Sequence, residues 1–418
     1  MTGPDRDYEP FARRIVDTGV LTDPWLDGAP RFRERPVFVP GKLARQMAKV
    51  GEEIAAVYEE LCRIVDGEQE LLDEFFGLTP FQKAMWIASA PLWHGIARAD
   101  VFVTDEGLQI AELNCDTPTG EAEAVVLGEL VAPAHTLAKD PNAALGDRFC
   151  AMVDAMRTHL VVGDAPRTIG LVYPTEFTED LSLVRLYRKW FEARGWQVVL
   201  GSPYNLDSSD DSPGTVRLFD TPISVLVRHY KTDWWGERQS VWDDEVMPDP
   251  RPLEDPLAAV FAGMLERKLA VVNPFGAVLP QNKRAMAFMW EHVHRFSPHA
   301  QEIIQRHVPV TSRLETMHEE QLLVEKREWV LKSDYGAEGG EVIVGRYATD
   351  EEWQLTLKHA RPGRWIAQRY FQAEEDDLGE AINYGVYLVA GEASGLYARV
   401  QAGPTDDRAL SAATLVVG

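Results

Sequence analysis

Apolar residues in the first part of the chain follow first a helical and then a strand-like spacing. The first 40 residues show no clear periodicity, and we expect them to wrap a surface. Across 44–76 apolar residues recur at three- and four-residue steps, which predicts a helix with one buried face. Across 100–114 they alternate with polar residues around a turn at 105–107, which predicts a β-hairpin.

The middle of the chain has the pattern of a parallel α/β layer. A short apolar strand at 168–173 is followed by a helical segment at 181–194 and a second strand at 196–200. Further segments complete the predicted elements: strands at 215–219, 224–230 and 270–272, and a helix at 281–296. In the last third, strand patterns dominate and predict a mostly antiparallel arrangement. The predicted strands are 329–332, 341–345, 365–371, 384–390 and 395–400.

Composition excludes several classes of protein. The 418 residues include 66 Asp and Glu against 42 Lys and Arg, a net charge of −24, which argues against nucleic acid or an anionic membrane surface as a partner. No apolar run approaches the ~20 residues of a membrane span, and the start has no apolar signal core, so we expect a cytoplasmic protein. The three cysteines do not form a CxxC motif, so neither a disulfide framework nor a cysteine zinc site is predicted.

The predicted hairpin carries the first candidate chemistry. Asp100 and Glu112 would lie on adjacent strands, and alternation places Asn114 and Arg98 on their face. Two carboxylates and an amide oxygen suit Mg²⁺, and the arginine can hold an anion beside the metal. A surface salt-bridge cluster is the alternative interpretation. The following segment, 116–119, could equally be a capped turn.

A strand that ends in Lys332 leads into a glycine-rich turn at 336–340. The glycines Gly336, Gly339 and Gly340 would allow backbone N–H groups to approach phosphate oxygens, and the lysine would supply charge. No helix follows, so the segment is neither a Walker A loop nor a dinucleotide fingerprint. An ordinary glycine hairpin is the alternative.

Three further segments have weaker signals. Lys283 lies near a predicted helix start, where it could serve a phosphate or be solvated. Gln368 and Tyr370 lie at a strand end that could recognise a purine edge or be structural. Arg228 and Lys231 follow a strand whose end could face a ligand crevice, which makes them candidates for a substrate carboxylate. Solvated cations beside core aromatic residues are the alternative there.

Taken in order, these motifs resemble the synthetase domain of the glutathionylspermidine synthetase family, whose members are ATP-grasp carbon–nitrogen ligases. The likeness is strongest at Arg98-x-Asp100, Glu112-x-Asn114 and Asp116-Thr117-Pro118-Thr119, and it spans about 86–418. The candidate metal residues precede the candidate nucleotide lysines, as in the permuted order of that family. We therefore expect the hairpin to pack beside strands from the end of the chain.

The resemblance implies a role for each matching residue. Asp100, Glu112 and Asn114 would hold Mg²⁺ on the phosphates of ATP, and Arg98 would be the catalytic residue that stabilises the transferring phosphoryl group. ATP would be bound by Arg98 together with Lys283, Lys332, Gly336, Gly339, Gly340, Gln368, Tyr370 and Arg399. Substrate would be bound by Asp116, Thr117, Thr119 and Arg228, with Lys231 as the second choice to Arg228.

The sequence also departs from the family. Ala337 stands where the glycine loop of the family usually has an arginine, and Gly120-Glu121 stands where Ser-Leu is frequent. We expect no Cys–His amidase domain of the kind that the bifunctional members have. Because of these differences, it stays open whether glutathione and spermidine are the substrates. The expected ligase class is not affected.

The sequence therefore predicts an α/β protein with an ATP-grasp fold in circularly permuted order and a Rossmann-like preATP-grasp layer. We expect a helical region with the metal hairpin over 1–160, the α/β layer over 165–275 and the nucleotide-binding lobes over 276–418. The expected reaction joins a glutathione-like or other peptide or amino-acid carboxylate to a polyamine-like amine, through an acyl-phosphate. The alternatives are a ligase with unrelated substrates and an inactive nucleotide-binding or scaffold protein.

Overall fold

A computed structural model describes residues 5–175, 178, 180–208, 212–237, 253–336, 341–360, 363–376, 378–403 and 408–418. The strands are β1 (Trp25–Leu26), β2 (Ala29–Pro30), β3 (Phe32–Pro40), β4 (Ile96–Thr104), β5 (Gly107–Asn114), β6 (Thr168–Val172), β7 (Gln197–Gly201), β8 (Leu206–Ser208), β9 (Val216–Leu218), β10 (Thr221–Pro222), β11 (Val225–Arg228), β12 (Ala270–Val272), β13 (Thr311–Arg313), β14 (Trp329–Ser333), β15 (Val342–Val344), β16 (Trp365–Arg369), β17 (Ala381–Val389), β18 (Glu392–Gln401) and β19 (Leu410–Val417).

The α-helices are α1 (Asp5–Val16), α2 (Gly41–Val65), α3 (Pro80–Ser89), α4 (Glu121–Val131), α5 (Leu145–Leu160), α6 (Leu181–Glu192), α7 (Trp234–Glu237), α8 (Glu254–Leu265), α9 (Val278–Gln281), α10 (Arg284–Glu291), α11 (Pro298–His307), α12 (Glu319–Val324) and α13 (Asp350–His359). None of the helices in the described ranges is both long and apolar enough to cross a bilayer. The three cysteines, Cys62, Cys115 and Cys150, are buried free thiols.

The largest sheet has the order β3-β19-β18-β17-β4-β5. The predicted hairpin is confirmed, since β4 and β5 pair antiparallel with Asp100 opposite Glu112 and Arg98 opposite Asn114. Strand β4 also pairs antiparallel with β17, so the hairpin packs beside strands from the end of the chain, as the permuted order requires. One face of this sheet therefore collects residues that lie almost 300 positions apart.

The helix predicted over 44–76 is confirmed as α2, which ends at Val65 and is followed by a π-helical turn at Leu71–Phe75. The α2 helix packs against β17. Gly51 lies at the closest approach, where an added Cβ would meet Cγ1 of Val386 at 3.0 Å. The large apolar face of α2 thus forms the core under the sheet.

The parallel α/β layer is also confirmed. Strands β12-β11-β6-β7 form a parallel sheet, and α6 connects β6 to β7. The strand predicted at 215–219 lies elsewhere, because β9 pairs antiparallel with β8 and β10 in a small separate sheet. Ligand crevices of open parallel sheets lie beyond the carboxyl ends of the strands, and His229 follows β11 at that edge.

The last third forms the antiparallel sheet β13-β16-β14-β15. Next to it, the single helix predicted over 281–296 is wrong, since the segment begins at the last residue of α9 and then contains α10 and a 3₁₀ turn at Val293–Arg295. The break falls at Asn282, which is extended with φ −63° and ψ 120°. Its side-chain oxygen accepts the backbone N–H of Arg284 at 2.9 Å, which begins the next helix.

The expectation that the first 40 residues merely wrap a surface is wrong. Helix α1 buries Tyr8, Phe11, Ala12 and Ile15, a three- and four-residue spacing that the sequence contained. Strand β3 pairs parallel with β19 at the edge of the largest sheet. The beginning of the chain is therefore part of the core.

Candidate functional site

A cleft of about 510 Å³ lies where the six-stranded sheet and the sheet β13-β16-β14-β15 approach the carboxyl edge of the parallel sheet. Each sheet contributes polar side chains to its walls, and apolar side chains line the end formed by β14, β15 and β16. Of the predicted site residues the lining contains Arg98, Asp100, Glu112, Asn114, Asp116, Thr117, Thr119, Lys231, Lys332, Gly336, Gln368, Tyr370 and Arg399.

Arg98 and Asp100 form a buried pair two residues apart on β4, where alternation places both on the cleft face. Nε of Arg98 lies 2.7 Å from Oδ1 of Asp100, and Nη2 lies 3.2 Å from Oδ2. Nη1 donates to the carbonyl of Thr119 at 2.7 Å. Burial alone would lower the pKa of Arg98, but the Asp100 carboxylate raises it, so the guanidinium remains a cation.

Two residues from distant strands complete the surroundings of Asp100. Nη2 of Arg399 on β18 lies 3.2 Å from Oδ2, and Nδ2 of Asn383 on β17 donates to the same oxygen at 3.3 Å. The other polar side-chain atom of Asn383, Oδ1, is buried and has no hydrogen-bond partner among the described residues. Sequence reasoning missed Asn383, because only the pairing of β17 with β4 brings it to the site.

Glu112 lies opposite Asp100 and between two lysines. Its Oε2 is 3.4 Å from Nζ of Lys283, and its Oε1 accepts from Nδ2 of Asn114 at 3.1 Å. Lys283 and Lys332 are almost fully buried, and Lys332 Nζ donates to the carbonyl of Ala111 at 3.1 Å. The cluster therefore differs from an ordinary surface salt-bridge patch.

In this cluster the charges of neighbouring groups oppose the effect of burial on the pKa values. Burial alone would raise the pKa of Glu112, but Lys283 and Lys332 outweigh it and lower that pKa to about 2. Burial lowers the pKa of Lys332 to about 8, partly opposed by Glu112. A low-dielectric pocket that holds several cations around two carboxylates is suited to a polyanion.

The donor set fits the predicted Mg²⁺ in chemistry. Within the described ranges no three His, Cys, Asp or Glu side chains are grouped as a metal site, so the candidate ligands are two carboxylates and an amide. These are hard oxygen donors, and Mg²⁺ usually takes only one or two protein carboxylates with phosphate and water. The unpartnered Oδ1 of Asn383 is one more oxygen beside Asp100.

The opposite end of the cleft is aromatic and apolar. Val330, Val342 and Val344 line it together with Tyr370 and Tyr347. Gln368 lines the same end, and its Nε2 is already engaged, since it donates to Oγ1 of Thr311 at 3.2 Å. Such a slot suits a flat, uncharged ring.

The glycine turn is described only in part. Nζ of Lys283 donates to the carbonyl of Gly336 at 2.6 Å, which ties the start of the turn to the carboxylate cluster. Gly339, Gly340 and the departure at Ala337 lie outside the described residues.

Arg228 does not occupy the position predicted for it. Its side chain is 0% exposed, and its three nitrogens contact the carbonyls of Asn273, Tyr230 and Pro274. Nη2 also pairs with Asp116 at 2.6 Å. The structure thus places Arg228 behind the cleft wall, with each of its three nitrogens already in contact with the protein.

Asp116 is engaged in the same way. Its Oδ2 accepts from the backbone N–H of Thr232 at 2.8 Å and from the hydroxyl of Thr232 at 3.1 Å. Thr117 and Thr119 line the cleft, as does Lys231, whose side chain is 22% exposed. Lys231 is therefore the cation that this strand end presents to the cleft.

The fold and site together define the class: this is an ATP-grasp protein, in permuted order and with a preATP-grasp layer. The family model described as glutathionylspermidine synthase preATP-grasp matches residues 46–414. The chain belongs to this family, and at the level of class it is a synthetase-like ligase.

A solved structure supports the fold. The chain is similar to a glutathione synthetase-like effector from Globodera pallida, with 12% identity and a TM-score of 0.60 over 100% of this chain and 98% of that one. It also matches a protein assigned as a gamma-glutamylcysteine synthetase from Methylobacillus flagellatus, with 14% identity and a TM-score of 0.46 over 87% of this chain and 85% of that one. No curated protein sequence matches the chain.

Proposed function

We propose that the protein is an ATP-dependent amide ligase that activates a carboxylate as its acyl-phosphate. The observation that carries the proposal is the buried cluster in which Arg98 and Arg399 hold Asp100 while Lys283 holds Glu112. The cluster lies in one cleft with an apolar, aromatic end. A charged zone for phosphates beside a slot for a base is the arrangement that ATP requires.

In this proposal the adenine enters the slot near Gln368 and Tyr370, and the phosphates extend toward Arg98. Lys283, Lys332 and Arg399 neutralise phosphate charge, and the Gly336 turn covers it. The roles of Gly339 and Gly340 remain predictions. Strand β14 supports this orientation, since Val330 of the slot and Lys332 of the phosphate zone lie on it two residues apart.

Asp100, Glu112 and Asn114 would hold Mg²⁺, which supplies charge neutralisation on the phosphates when it is bound. Asp100 pairs with Arg98 and Arg399, and Glu112 pairs with Lys283. Lys283 and Lys332 outweigh the effect of burial on Glu112 and lower its pKa to about 2, so this ligand is charged at neutral pH.

Arg98 is the catalytic residue in this account. Its guanidinium is fixed by Asp100 and by the Thr119 carbonyl, so it needs no rearrangement to stabilise negative charge. The acid attacks the γ-phosphorus of ATP, and ADP leaves. The amine then attacks the acyl carbon, a C–N bond forms, the C–O bond to phosphate breaks and inorganic phosphate is released. Positioning and charge stabilisation account for most of the rate.

The substrate end of the cleft supports an acid held by Lys231, Thr117 and Thr119. The family to which the chain belongs makes a glutathione-like peptide or an amino acid the first acid to test, and a polyamine the first amine. The net charge of −24 favours a cationic amine near the protein.

Trapping with hydroxylamine tests the proposal. The protein is incubated with ATP, Mg²⁺, hydroxylamine and one of a panel of acids that includes glutathione, shorter peptides and amino acids. We expect ADP and an acyl hydroxamate in equal amounts with at least one acid, and neither in the Asp100→Ala variant. ADP release without hydroxamate for every acid would exclude the acyl-phosphate route.

A further inference from the structure

A histidine–carboxylate pair on the cleft wall is not used by the mechanism above. His229 follows the end of β11, and its backbone N–H donates to the carbonyl of Val172 at 2.8 Å, which fixes it at the carboxyl edge of the parallel sheet. Asp180 lies one residue before α6. Nε2 of His229 and Oδ1 of Asp180 are 3.0 Å apart, and both residues line the cleft.

The pair fixes the tautomer of the imidazole. An ionised carboxylate can only accept hydrogen bonds, so Nε2 carries the proton that is donated to Asp180. Nδ1 then has a lone pair, and it has no hydrogen-bond partner among the described residues. A base whose second nitrogen is held by a carboxylate is the arrangement used to orient general bases.

The charges around His229 are mostly negative. Burial alone would lower the pKa of His229, but Asp180, through its charge and hydrogen bond, and the nearby Glu121 and Asp116 raise it. The cation next to it, Arg228, is paired with Asp116, and Lys231 donates to the carbonyl of Tyr335 at 3.3 Å. At His229 an ammonium group is therefore a better match than a carboxylate.

The position also suits the second half-reaction. Burial raises the pKa of Glu121, and the charges of Arg98 and His229 both oppose this, so both side chains lie near that carboxyl. Arg98 also donates to the carbonyl of Thr119, two residues before Glu121. Lys231, the candidate for the acid, lies two residues from His229. The cleft wall thus carries a candidate contact for the acid, Lys231, and one for the amine, His229.

We propose that His229 is the general base for the amine substrate, through Nδ1, and that Asp180 is its positioning residue. The proposal rests on the proposed ligase function and deepens it. It also defines the amine class: a primary amine that arrives as an ammonium ion and has to lose a proton before it can attack.

The proton balance is complete without a further reactant. One proton passes from the ammonium group to Nδ1, while Nε2–H remains with Asp180. The free electron pair of the amine then forms the C–N bond, and the acyl carbon releases phosphate. The second proton of the nitrogen leaves with the phosphate or to water, and His229 returns its own proton to solvent.

Hydroxylamine separates this role from a structural one, because it is neutral at pH 7 and needs no base before it attacks. The acid that gives hydroxamate with the wild-type protein is supplied with ATP and Mg²⁺, and either hydroxylamine or a primary amine such as spermidine is the nucleophile. Wild type is compared with His229→Gln, Asp180→Asn and the control His307→Gln, another buried histidine, whose Nδ1 contacts the carbonyl of Leu108.

We expect His229→Gln to lower amide formation by about 10²–10⁴-fold, the range for loss of a general base, and hydroxamate formation by less than about tenfold. The Asp180 carboxylate raises the pKa of His229, so Asp180→Asn should lower that pKa. In the pH profile of kcat/KM for the amine, the acidic limb should therefore move to lower pH. His307→Gln should show neither effect.

Equal losses with both nucleophiles in His229→Gln, together with an unmoved limb in Asp180→Asn, would overturn the proposal for His229 but leave the ligase function in place. If the wild-type protein forms no hydroxamate with any acid, the proposed function and this proposal both fail.

Discussion

Gly385 on β17 lies directly against the side chain of Arg98: a methyl group at Gly385 would be 2.6 Å from Cδ and 3.0 Å from Cγ of that arginine. Gly385 is the register partner of Asp100. The glycine therefore leaves the space through which the guanidinium of Arg98 reaches the Asp100 carboxylate. A strand from the end of the chain thus shapes the residue proposed to carry catalysis.

Gly385→Ala should displace Arg98 and lower turnover by up to about 10²-fold, since a shift of about 1 Å in a catalytic group can cost that much. In an Arg98→Ala background the same change should have little further effect, because the clash is gone. The measurement is a double-mutant cycle on kcat. Independent, additive losses would show that Gly385 acts on something other than Arg98.

Arg98→Ala should lower turnover by about 10²–10³-fold, the scale for one preorganised charge stabiliser, with ATP affinity nearly kept. Arg399, Lys283 and Lys332 remain to hold the phosphates. Steady-state kinetics with calorimetric ATP binding tests this, with Arg148→Ala as the control, since Arg148 contacts the carbonyl of Ala393 away from the cleft. A joint fall of binding and turnover would make Arg98 a ground-state contact.

Truncation of Arg228 should lower the stability of the fold, whereas truncation of Lys231 should weaken binding of the acid. Arg228→Ala leaves Asp116 buried without its cation, so unfolding free energy should fall by about 3–5 kcal/mol. Lys231→Ala should leave the melting temperature nearly unchanged and raise KM for the acid by about tenfold, a loss of roughly 1.4 kcal/mol. Thermal unfolding measures the effect on stability, and steady-state kinetics measure the KM for the acid. A stable Arg228→Ala variant with a raised KM for the acid would show that Arg228 binds the substrate, as the sequence predicts.

Glu121 should make stability dependent on pH. Its side chain is fully buried: one oxygen accepts from the hydroxyl of Tyr187 at 3.3 Å, and the other has no hydrogen-bond partner within the described ranges. Burial raises its pKa from 4.5 to about 7. Between these values the folded protein retains a proton that the unfolded chain releases, so this contribution to stability is lost as pH rises through the interval. The loss amounts to about 3 kcal/mol.

Denaturant titrations at several pH values compare wild type with Glu121→Gln, which should lose this slope, and with Glu129→Gln, whose exposed side chain should leave it in place. An unchanged slope in Glu121→Gln would show that Glu121 is already ionised in the folded protein.

The hairpin was predictable because its signals are local. Alternation along β4 and β5 and a short turn predict the hairpin, and a β-bulge between Asp100 and Val101 then brings Glu112 opposite Asp100. The family resemblance supplied the permuted order, which periodicity alone does not contain. The proposed division at 160, 165–275 and 276–418 stays a prediction.

Other site residues could not be predicted because they depend on long-range pairing or on burial. Asn383 and Gly385 reach Asp100 only through the register of β17 with β4. Arg228 and Lys231 have the same sequence signal, a cation after a strand, and only packing separates the buried one from the one in the cleft. The pair of His229 with Asp180 combines two isolated residues that no motif joins.

The central claim is that the carboxylate of the acid is activated by phosphoryl transfer from ATP. The most direct measurement uses the acid from the hydroxamate screen, with its carboxylate labelled by a heavy oxygen isotope, together with ATP, Mg²⁺ and the amine. The account predicts that one labelled oxygen appears in inorganic phosphate for each amide formed. Amide formation with unlabelled phosphate would contradict it.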